Sequence, residues 1–571
     1  MLDYLADPVI DMRLLAAATD APAVNYLTFI LPLATALLIS MAVIPVMVRL
    51  APRLGMIDQP DQRKVHAVPI PRVGGAGIVI GTLVPVVLLL PVDQSLLAFV
   101  IGALVLFGFG VLDDCKELGH YVKFVGQFIA VLAVVYFGDV YVTWLPFMGG
   151  EPVSELIGRP FTVIAMVGMI NAINHSDGLD GLAGGESLLS LACISWLAWL
   201  AGGDAVLIIA LATIGGVFGF MRFNTHPARI FMGDGGSQFL GFALGYLVVV
   251  LTQDVNPALS PALPALVLGL PIADIIAVFA QRIYKKMNWF RASRNHIHHR
   301  LLDLGFYHYE SVVLVYSVQA LLVLCAVLMP YEADALVVGV YLVVVATVFV
   351  LLYVAERTGW AMRKKASPSD AGYAIVPSRY RAWLVEMPYS IVYYGMALFL
   401  LAGAFLVTDI PLDYAIIANV LFILLLVRLL LGYRAGFLPL RLLVYVTIVF
   451  IVYLLQTYQP AYLSGADPVT YGFFGAMVIG IAVTIRFSRQ GGFSVTPMDY
   501  LIVLAILVLA GLASNDIVDA AITAMVLKTI ILFYGSELIL DRMSKRWNLF
   551  SLAVLASLLV VGARGLLLHF Q

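Results

Sequence analysis

Residues 160–200 read PFTVIAMVGMINAINHSDGLDGLAGGESLLSLACISWLAWL. Two apolar runs, 160–174 and 183–201, flank a stretch in which Asn171, Asn174, Asp177 and Asp180 recur every third residue among glycines. A helix that crosses a hydrocarbon core needs about 20 apolar residues. The first run is short and interrupted by glycine, like a later one at 205–221, so both are expected to be broken or tilted helices around a polar site. Four polar side chains between two membrane-seeking helices exceed what a glycine-rich turn requires.

Working outward, apolar runs recur near 26–48, 73–91, 95–112, 121–137, 236–252, 264–283, 311–330 and 334–355. A second set lies near 387–408, 412–432, 440–458, 469–486, 498–514, 517–535 and 549–567. The pattern predicts an all-α polytopic membrane protein, with a core of about eleven helices and a C-terminal bundle of about seven. Composition agrees: of 571 residues 62% are hydrophobic and 12% charged, against roughly 25% charged in soluble domains. Mean hydropathy is +0.99. Lys+Arg 33 against Asp+Glu 35 leaves no basic excess, so nucleic acid is not an expected partner. Cys115, Cys193 and Cys325 stand far apart, which excludes a disulfide framework and a thiolate zinc site. The first twenty residues show no basic stretch before an apolar run, so no cleavable signal peptide is expected.

Charge orients the helices. With the N-terminus outside, the loops at 49–72, 113–123, 222–235, 282–310, 356–386, 433–441, 486–497 and 536–548 face the cytoplasm. Apart from Arg13, Arg159, Lys528 and Arg564, every Lys and Arg lies in these loops or in the helix ends and inner halves beside them. This obeys the positive-inside rule. All histidines except His569 fall on the same side. A transporter concentrates ionisable groups near the midplane; one-sided polarity favours an enzyme at the cytoplasmic surface. The polar loop after Glu356 divides residues 1–356, a catalytic core, from a linker at 357–386 and an additional membrane bundle at 387–571.

Five cytoplasmic segments carry chemistry. In VLDDCKELG, Asp113 and Asp114 end a helix, and such adjacent carboxylates need a cation or a proton. Lys123 and Gln127, one turn apart on the next helix, are placed to face them. In NAINHSDGLDGLAGG, the ladder of Asn171, Asn174, Asp177 and Asp180 offers oxygen donors that suit a hard cation such as Mg²⁺. In RFNTHPARIFMGDGGS, Asp234 stands at a glycine-flanked helix start, where N–H groups receive phosphate and the carboxylate holds Mg²⁺. Arg222 and Asn224 lie just upstream. In RASRNHIHHRLLDLG, His296, His298 and His299 with Arg294 and Arg300 form a cationic cluster suited to a diphosphate. The plain alternative, a loop that only fixes topology, does not require three histidines in four residues. In DQPDQRKVHAVPIPRVGGAGI, Arg63, Lys64, His66 and Arg72 are read equally well as substrate contacts or as a basic connector.

Together, in this order, the segments resemble the polyprenyl-phosphate N-acetylhexosamine-1-phosphate transferase family, glycosyltransferase family 4, over residues 26–356. The resemblance implies an eleven-helix-type core with a cytoplasmic active site. By motif, Asp113 and Asp114 resemble the acidic pair near the prenyl phosphate, and Asn174, Asp177 and Asp180 the NxxDGxD ladder. Asp234 matches the Mg²⁺-ligand aspartate, Asn224 the nucleotide-sugar contact and HIHH the diphosphate-binding motif. HIHH followed by RLLDLG is similar to the GlcNAc-1-phosphate branch, while Glu117 stands where many relatives carry Asp or Asn. The C-terminal helices have no counterpart in that pattern.

The expected reaction moves an N-acetylhexosamine 1-phosphate, GlcNAc-1-phosphate by the branch resemblance, from a UDP-sugar to polyprenyl (undecaprenyl) phosphate. UMP is released, and a lipid-linked cell-envelope glycan is begun. Asp113, Asp114, Asp177 and Asp180 are the catalytic candidates, and Asn174 and Asp234 the metal ligands. Lys64, Lys123, Asn171, Arg222, Asn224, His296, His298, His299 and Arg300 are the substrate-binding candidates. Mg²⁺ is the expected cofactor, with Mn²⁺ an alternative. UDP-N-acetylhexosamine, polyprenyl phosphate and the bilayer are the expected partners, and a homodimer is an assembly the reading admits. The expected location is a bacterial inner membrane. A lipid-linked sugar flippase, or a transferase with a second C-terminal activity, is the competing reading.

Overall fold

The computed structural model describes residues 26–59, 68–116, 118–286, 295–363, 386–431, 440–458, 467–487, 520–542 and 548–570. They fall into two compact units, 26–363 and 386–570. In the first, the helices are α1 (Tyr26–Leu54), α2 (Gly74–Leu89), α3 (Gln94–Lys116) and α4 (His120–Leu132), which runs on through a π-helical turn to Phe137. There follow α5 (Glu155–Ser176), α6 (Leu182–Leu200), α7 (Asp204–Asn224) and α8 (Asp234–Val250). Then come the short α9 (Pro264–Val267), α10 (Gly269–Tyr284), α11 (Ile297–Asp303), α12 (His308–Leu328) and α13 (Asp334–Thr358). Each of the eleven spans read from the first part of the sequence is helical. Among the described residues, twelve helices of the chain are long and apolar enough to cross a membrane. It is a multi-pass membrane protein.

The centre of this unit is α8, whose residues from Gly235 to Val249 are all buried. Small residues permit this. A Cβ at Gly110 of α3 would lie 2.3 Å from Gly235 Cα, and one at Gly75 of α2 would lie 2.4 Å from Gly236 N. The backbones of α2 and α3 therefore touch the start of α8, and no larger side chain fits between them. At the rim, α13 leaves most of its apolar surface uncovered, as a lipid-facing helix does.

Neither of the two short runs is broken. The runs at 160–174 and 205–221 lie inside continuous helices, α5 and α7. The interruption is in the 264–283 run, at Leu268 between α9 and α10. Polar groups from neighbouring helices satisfy the freed backbone there, which is what makes a broken helix tolerable at membrane depth. Gln319 accepts a bond from Leu270 N–H at 3.0 Å and donates to Val267 O at 2.9 Å. Ser190 Oγ also donates to Val267 O, at 2.8 Å.

The second unit comprises α14 (Met387–Leu406), α15 (Leu412–Leu431), α16 (Leu440–Thr457), α17 (Asp467–Phe487), α18 (Ala520–Arg542) and α19 (Leu549–Phe570). The span read at 498–514 lies outside the described residues. Its own core includes Val392, Met396, Leu400, Ile448, Leu532 and Leu558. The two charges of this unit that fall outside the positive-inside pattern are engaged within it. Arg564 donates to Ala404 O at 3.0 Å and Phe405 O at 2.8 Å, closing the end of α14, and Lys528 Nζ donates to Gln456 Oε1 at 3.0 Å.

Candidate active site

Asp234 opens α8, and three other helices converge on it. Lys123 of α4 places Nζ 2.5 Å from Asp234 Oδ2 and 2.7 Å from Asp113 Oδ2 at the end of α3. Asn174 of α5 donates to Asp234 Oδ1 at 3.2 Å and to Ser237 Oγ at 2.8 Å. Lys123 thus reaches Asp113 of the acidic pair, as its spacing predicted, but Gln127 turns away. It exchanges bonds with Asn171, receiving Asn171 Nδ2 at 2.8 Å, and donates to Gln238 Oε1 at 3.2 Å. Asn171 is thereby a brace between α4 and α5.

The two neighbouring aspartates divide the work. Asp114 accepts the N–H of Asp234 at 3.1 Å and that of Gly235 at 3.4 Å, so it caps the exposed N-terminus of α8. Asp113 keeps one buried oxygen, Oδ1, without a hydrogen-bond partner. The glycine loop is fixed from the segment between α1 and α2 as well. Gly74 N donates to Phe231 O at 2.9 Å, Gly75 N to Met232 O at 2.8 Å, and Phe231 N to Pro71 O at 2.8 Å. Arg72 pairs with Asp58, and the segment that runs from the two-residue strand Ile70–Pro71 into the start of α2 clamps IFMGD.

The ladder divides too. Among the described residues, the carboxylate of Asp177 accepts no hydrogen bond. Burial, then the negative charges of Asp234 and Asp180, push its pKa up to about 7. Asp180 lies opposite: burial resists its ionisation, but the His226 hydrogen bond, the His308 ring and the Ala228 N–H hold it below the usual carboxylate range. His226 Nδ1 is 2.7 Å from Asp180 Oδ2, and Ala228 N donates to the same oxygen at 3.0 Å. Asn224 is buried, with Oδ1 accepting Gly181 N–H and Nδ2 donating to Ile230 O, each at 2.8 Å. Its amide holds the ladder loop to the glycine loop. Arg222 is exposed at the end of α7.

The histidine cluster rests on a residue that the motifs did not reveal. Asp274 of α10 accepts His296 Nδ1 at 2.7 Å and Ile297 N–H at 2.9 Å, which caps α11 and orients the first imidazole. His298 stacks 5.8 Å from His296 and lies tilted 4.3 Å from His299, and His175 of α5 stacks on His296 at 5.2 Å. A Cβ at Gly178 would stand 2.3 Å from His298 Nε2, so the cluster meets the ladder there. Burial, then the neighbouring rings of His299 and His296, hold the His298 pKa well below its ordinary value. Arg300 forms a two-point bond with Glu356 at 2.6 and 3.0 Å, tying α11 to α13. Only the lone carboxylate in an otherwise apolar run signalled Asp274. Lys64, Glu117 and Arg294 lie outside the described residues.

A hard divalent cation fits the donors around Asp234. They are oxygen atoms, two of the carboxylates (Asp113 and Asp177) have free acceptor capacity, and the single Lys123 ammonium offsets only part of the carboxylate charge.

Comparison with known proteins agrees. A model described as glycosyl transferase family 4 matches residues 96–252. A Bacillus subtilis (strain 168) protein named "Probable undecaprenyl-phosphate N-acetylglucosaminyl 1-phosphate transferase" is 33% identical over 340 residues, 59% of this chain and 92% of that protein. The decaprenyl-phosphate N-acetylglucosaminephosphotransferase of Mycobacterium leprae (strain TN) is 31% identical over 299 residues, 47% of this chain and 75% of its own length. The undecaprenyl-phosphate alpha-N-acetylglucosaminyl 1-phosphate transferase of Escherichia coli (strain K12) is 29% identical over 293 residues, 50% of this chain and 79% of its own length. With its motifs gathered at one end of the helical core, this chain belongs to glycosyltransferase family 4, the polyprenyl-phosphate N-acetylhexosamine-1-phosphate transferases.

Proposed function

We propose that the chain transfers N-acetylglucosamine 1-phosphate from its UDP conjugate to a polyprenyl phosphate, releasing UMP, at the cytoplasmic face of a bacterial inner membrane. The observation that carries this reading is the network Asp113–Lys123–Asp234, with the unbonded carboxylate of Asp177 and the ring of His298 beside it. A phosphate oxygen of the lipid forms a bond to the β-phosphorus of the donor, and the bond from that phosphorus to the bridging oxygen breaks, leaving UMP. Both reactants are anionic, so the barrier is largely electrostatic.

The chain's own groups answer that barrier. Lys123 offers a fixed ammonium where the two phosphates meet. Asp114, by capping α8, holds the loop that carries Asp234 rigid, so no reorganisation is needed during reaction. His298, neutral because it is buried, presents an imidazole N–H to the diphosphate rather than a charge. Asp234, Asn174, Asp177 and Asp113 are the residues that would hold Mg²⁺, or Mn²⁺ in its place. The ion supplies neutralisation of the diphosphate and of the leaving UMP.

Purified protein, given UDP-GlcNAc and undecaprenyl phosphate with Mg²⁺, should release UMP and form a lipid-soluble sugar diphosphate. Asp234→Asn should abolish both while the protein stays monodisperse. Near-normal Mg²⁺-dependent release by that variant, or turnover with no UDP-N-acetylhexosamine at all, would reject the reading.

A further inference from the structure

Three residues from separate cytoplasmic segments meet at one point beside the ladder. Asp180 Oδ2 lies 2.7 Å from His226 Nδ1 and 4.0 Å from His308 Nε2. All three atoms lie within 4.8 Å of one another. The two imidazoles are stacked, 4.2 Å between centroids and 19° between planes. We propose that Asp180, His226 and His308 form a second cation site, for a borderline transition ion of the Zn²⁺ class, apart from the oxygen donors around Asp234.

Donor chemistry argues for this class. Two imidazole nitrogens and one carboxylate suit Zn²⁺, Co²⁺ or Ni²⁺ and are poor partners for Mg²⁺. An ion about 2.0–2.2 Å from each donor wants them roughly 3.3 Å apart around a tetrahedron, with the fourth position left to water. The distances to the carboxylate, 2.7 and 4.0 Å, bracket that spacing. The ion would replace the proton that His226 now shares with Asp180. His308 Nε2 would give up the hydrogen bond it accepts from Asp180 N–H at 3.0 Å, so two hydrogen bonds are exchanged for three coordinate ones. The carboxylate is already oriented by Ala228 N–H, which plays the outer-shell part that ligating carboxylates need. His226 is 43% exposed, so an ion has a way in, while His308 is 12% exposed and holds the far wall. Such an ion would staple the ladder, the HPAR loop and the start of α12.

The test uses the full chain in detergent, without a polyhistidine tag, stripped with EDTA and dialysed. Co²⁺ is the probe, added with Mg²⁺ in excess. The expected result is one tightly bound equivalent with a visible d–d band, displaced by Zn²⁺, and a Zn²⁺-dependent rise in Tm. His226→Gln and His308→Gln should each lose the band, and His298→Ala should keep it. Asp234→Asn should keep it while losing UMP release, which separates this site from the proposed transferase centre. The same band in both glutamine variants, its removal by Mg²⁺, or no band together with no Zn²⁺ effect on Tm would overturn the proposal. If one glutamine variant fails to fold, the other decides.

Discussion

The imidazole of His298 lies against Gly178, so closely that a Cβ at that glycine would stand 2.3 Å from Nε2. That contact joins the NxxDGxDG ladder to the HIHH helix, which are 120 residues apart in the chain. Gly178→Ala should therefore push the ring away while leaving the membrane helices in place. We expect kcat/KM for UDP-GlcNAc to fall at least tenfold, about 1.4 kcal/mol of transition-state stabilisation, at unchanged monodispersity. Full activity in Gly178→Ala would mean that His298 does not face the donor.

Asp274 holds that ring system from behind. Asp274→Asn keeps an acceptor for Ile297 N–H but turns an N–H₂ or a neutral oxygen toward His296 Nδ1, where a carboxylate now stands. Losing a charge-assisted buried bond costs about 1.5–3 kcal/mol. We expect a comparable loss in kcat/KM for the donor, with the KM for polyprenyl phosphate little changed. Equal losses for both substrates in steady-state kinetics would argue for general misfolding instead.

The raised pKa of Asp177 gives a dependence on pH. Its folded value of about 7 lies above the unfolded 3.8. The native state therefore binds the extra proton between these values, and the stability this contributes is fully present below the unfolded value and lost as pH rises through about 7. Metal-free protein should melt at a lower temperature at pH 8 than at pH 6, and Asp177→Asn should flatten that slope. Mg²⁺ competes with the proton, so its apparent affinity should rise over the same interval in the native chain. A thermal-shift series at several pH values, with and without Mg²⁺, reads both; identical slopes in chain and variant would remove Asp177 from the site.

Much of this was legible in the sequence because membrane helices announce themselves by composition alone, and because the motifs are dense in polar residues that lipid would otherwise exclude. What stayed hidden depends on pairings across the fold. Asn171 and Asn224 look like ligands in a line of text, yet their amides are spent on Gln127 and on backbone. Asp114 cannot be told from Asp113 until the α8 N-terminus is seen beside it. The break at Leu268 is not legible in the sequence because the polar groups that make it tolerable, Gln319 and Ser190, come from other helices. His226 and His308 gain meaning only when both are found on Asp180.

The division of the chain yields the last prediction. Residues 387–571 carry no acidic ladder, glycine loop or histidine cluster. Their two out-of-pattern charges are occupied within their own unit, Arg564 on the end of α14 and Lys528 on Gln456. All the groups assigned here to phosphate chemistry lie before Glu356, and the first unit reaches beyond that residue to a firm stop: Arg363 clasps Glu310 of α12 at 2.7 and 2.8 Å, and Met362 N donates to Leu304 O at 2.8 Å. We propose that the C-terminal bundle is an oligomerisation, partner-docking or lipid-handling module. A chain ending after Lys365 keeps the Arg363 clasp, and it should insert and transfer sugar phosphate at a rate within a few-fold of the full chain. Cutting before Arg363, or Arg363→Ala in the shortened chain, should lower its Tm, because Glu310 then loses a two-point partner. Assay of UMP release from the truncated protein in detergent decides the matter. If it remains monodisperse and binds UDP-GlcNAc yet forms no product, then the C-terminal helices complete the groove for the lipid substrate.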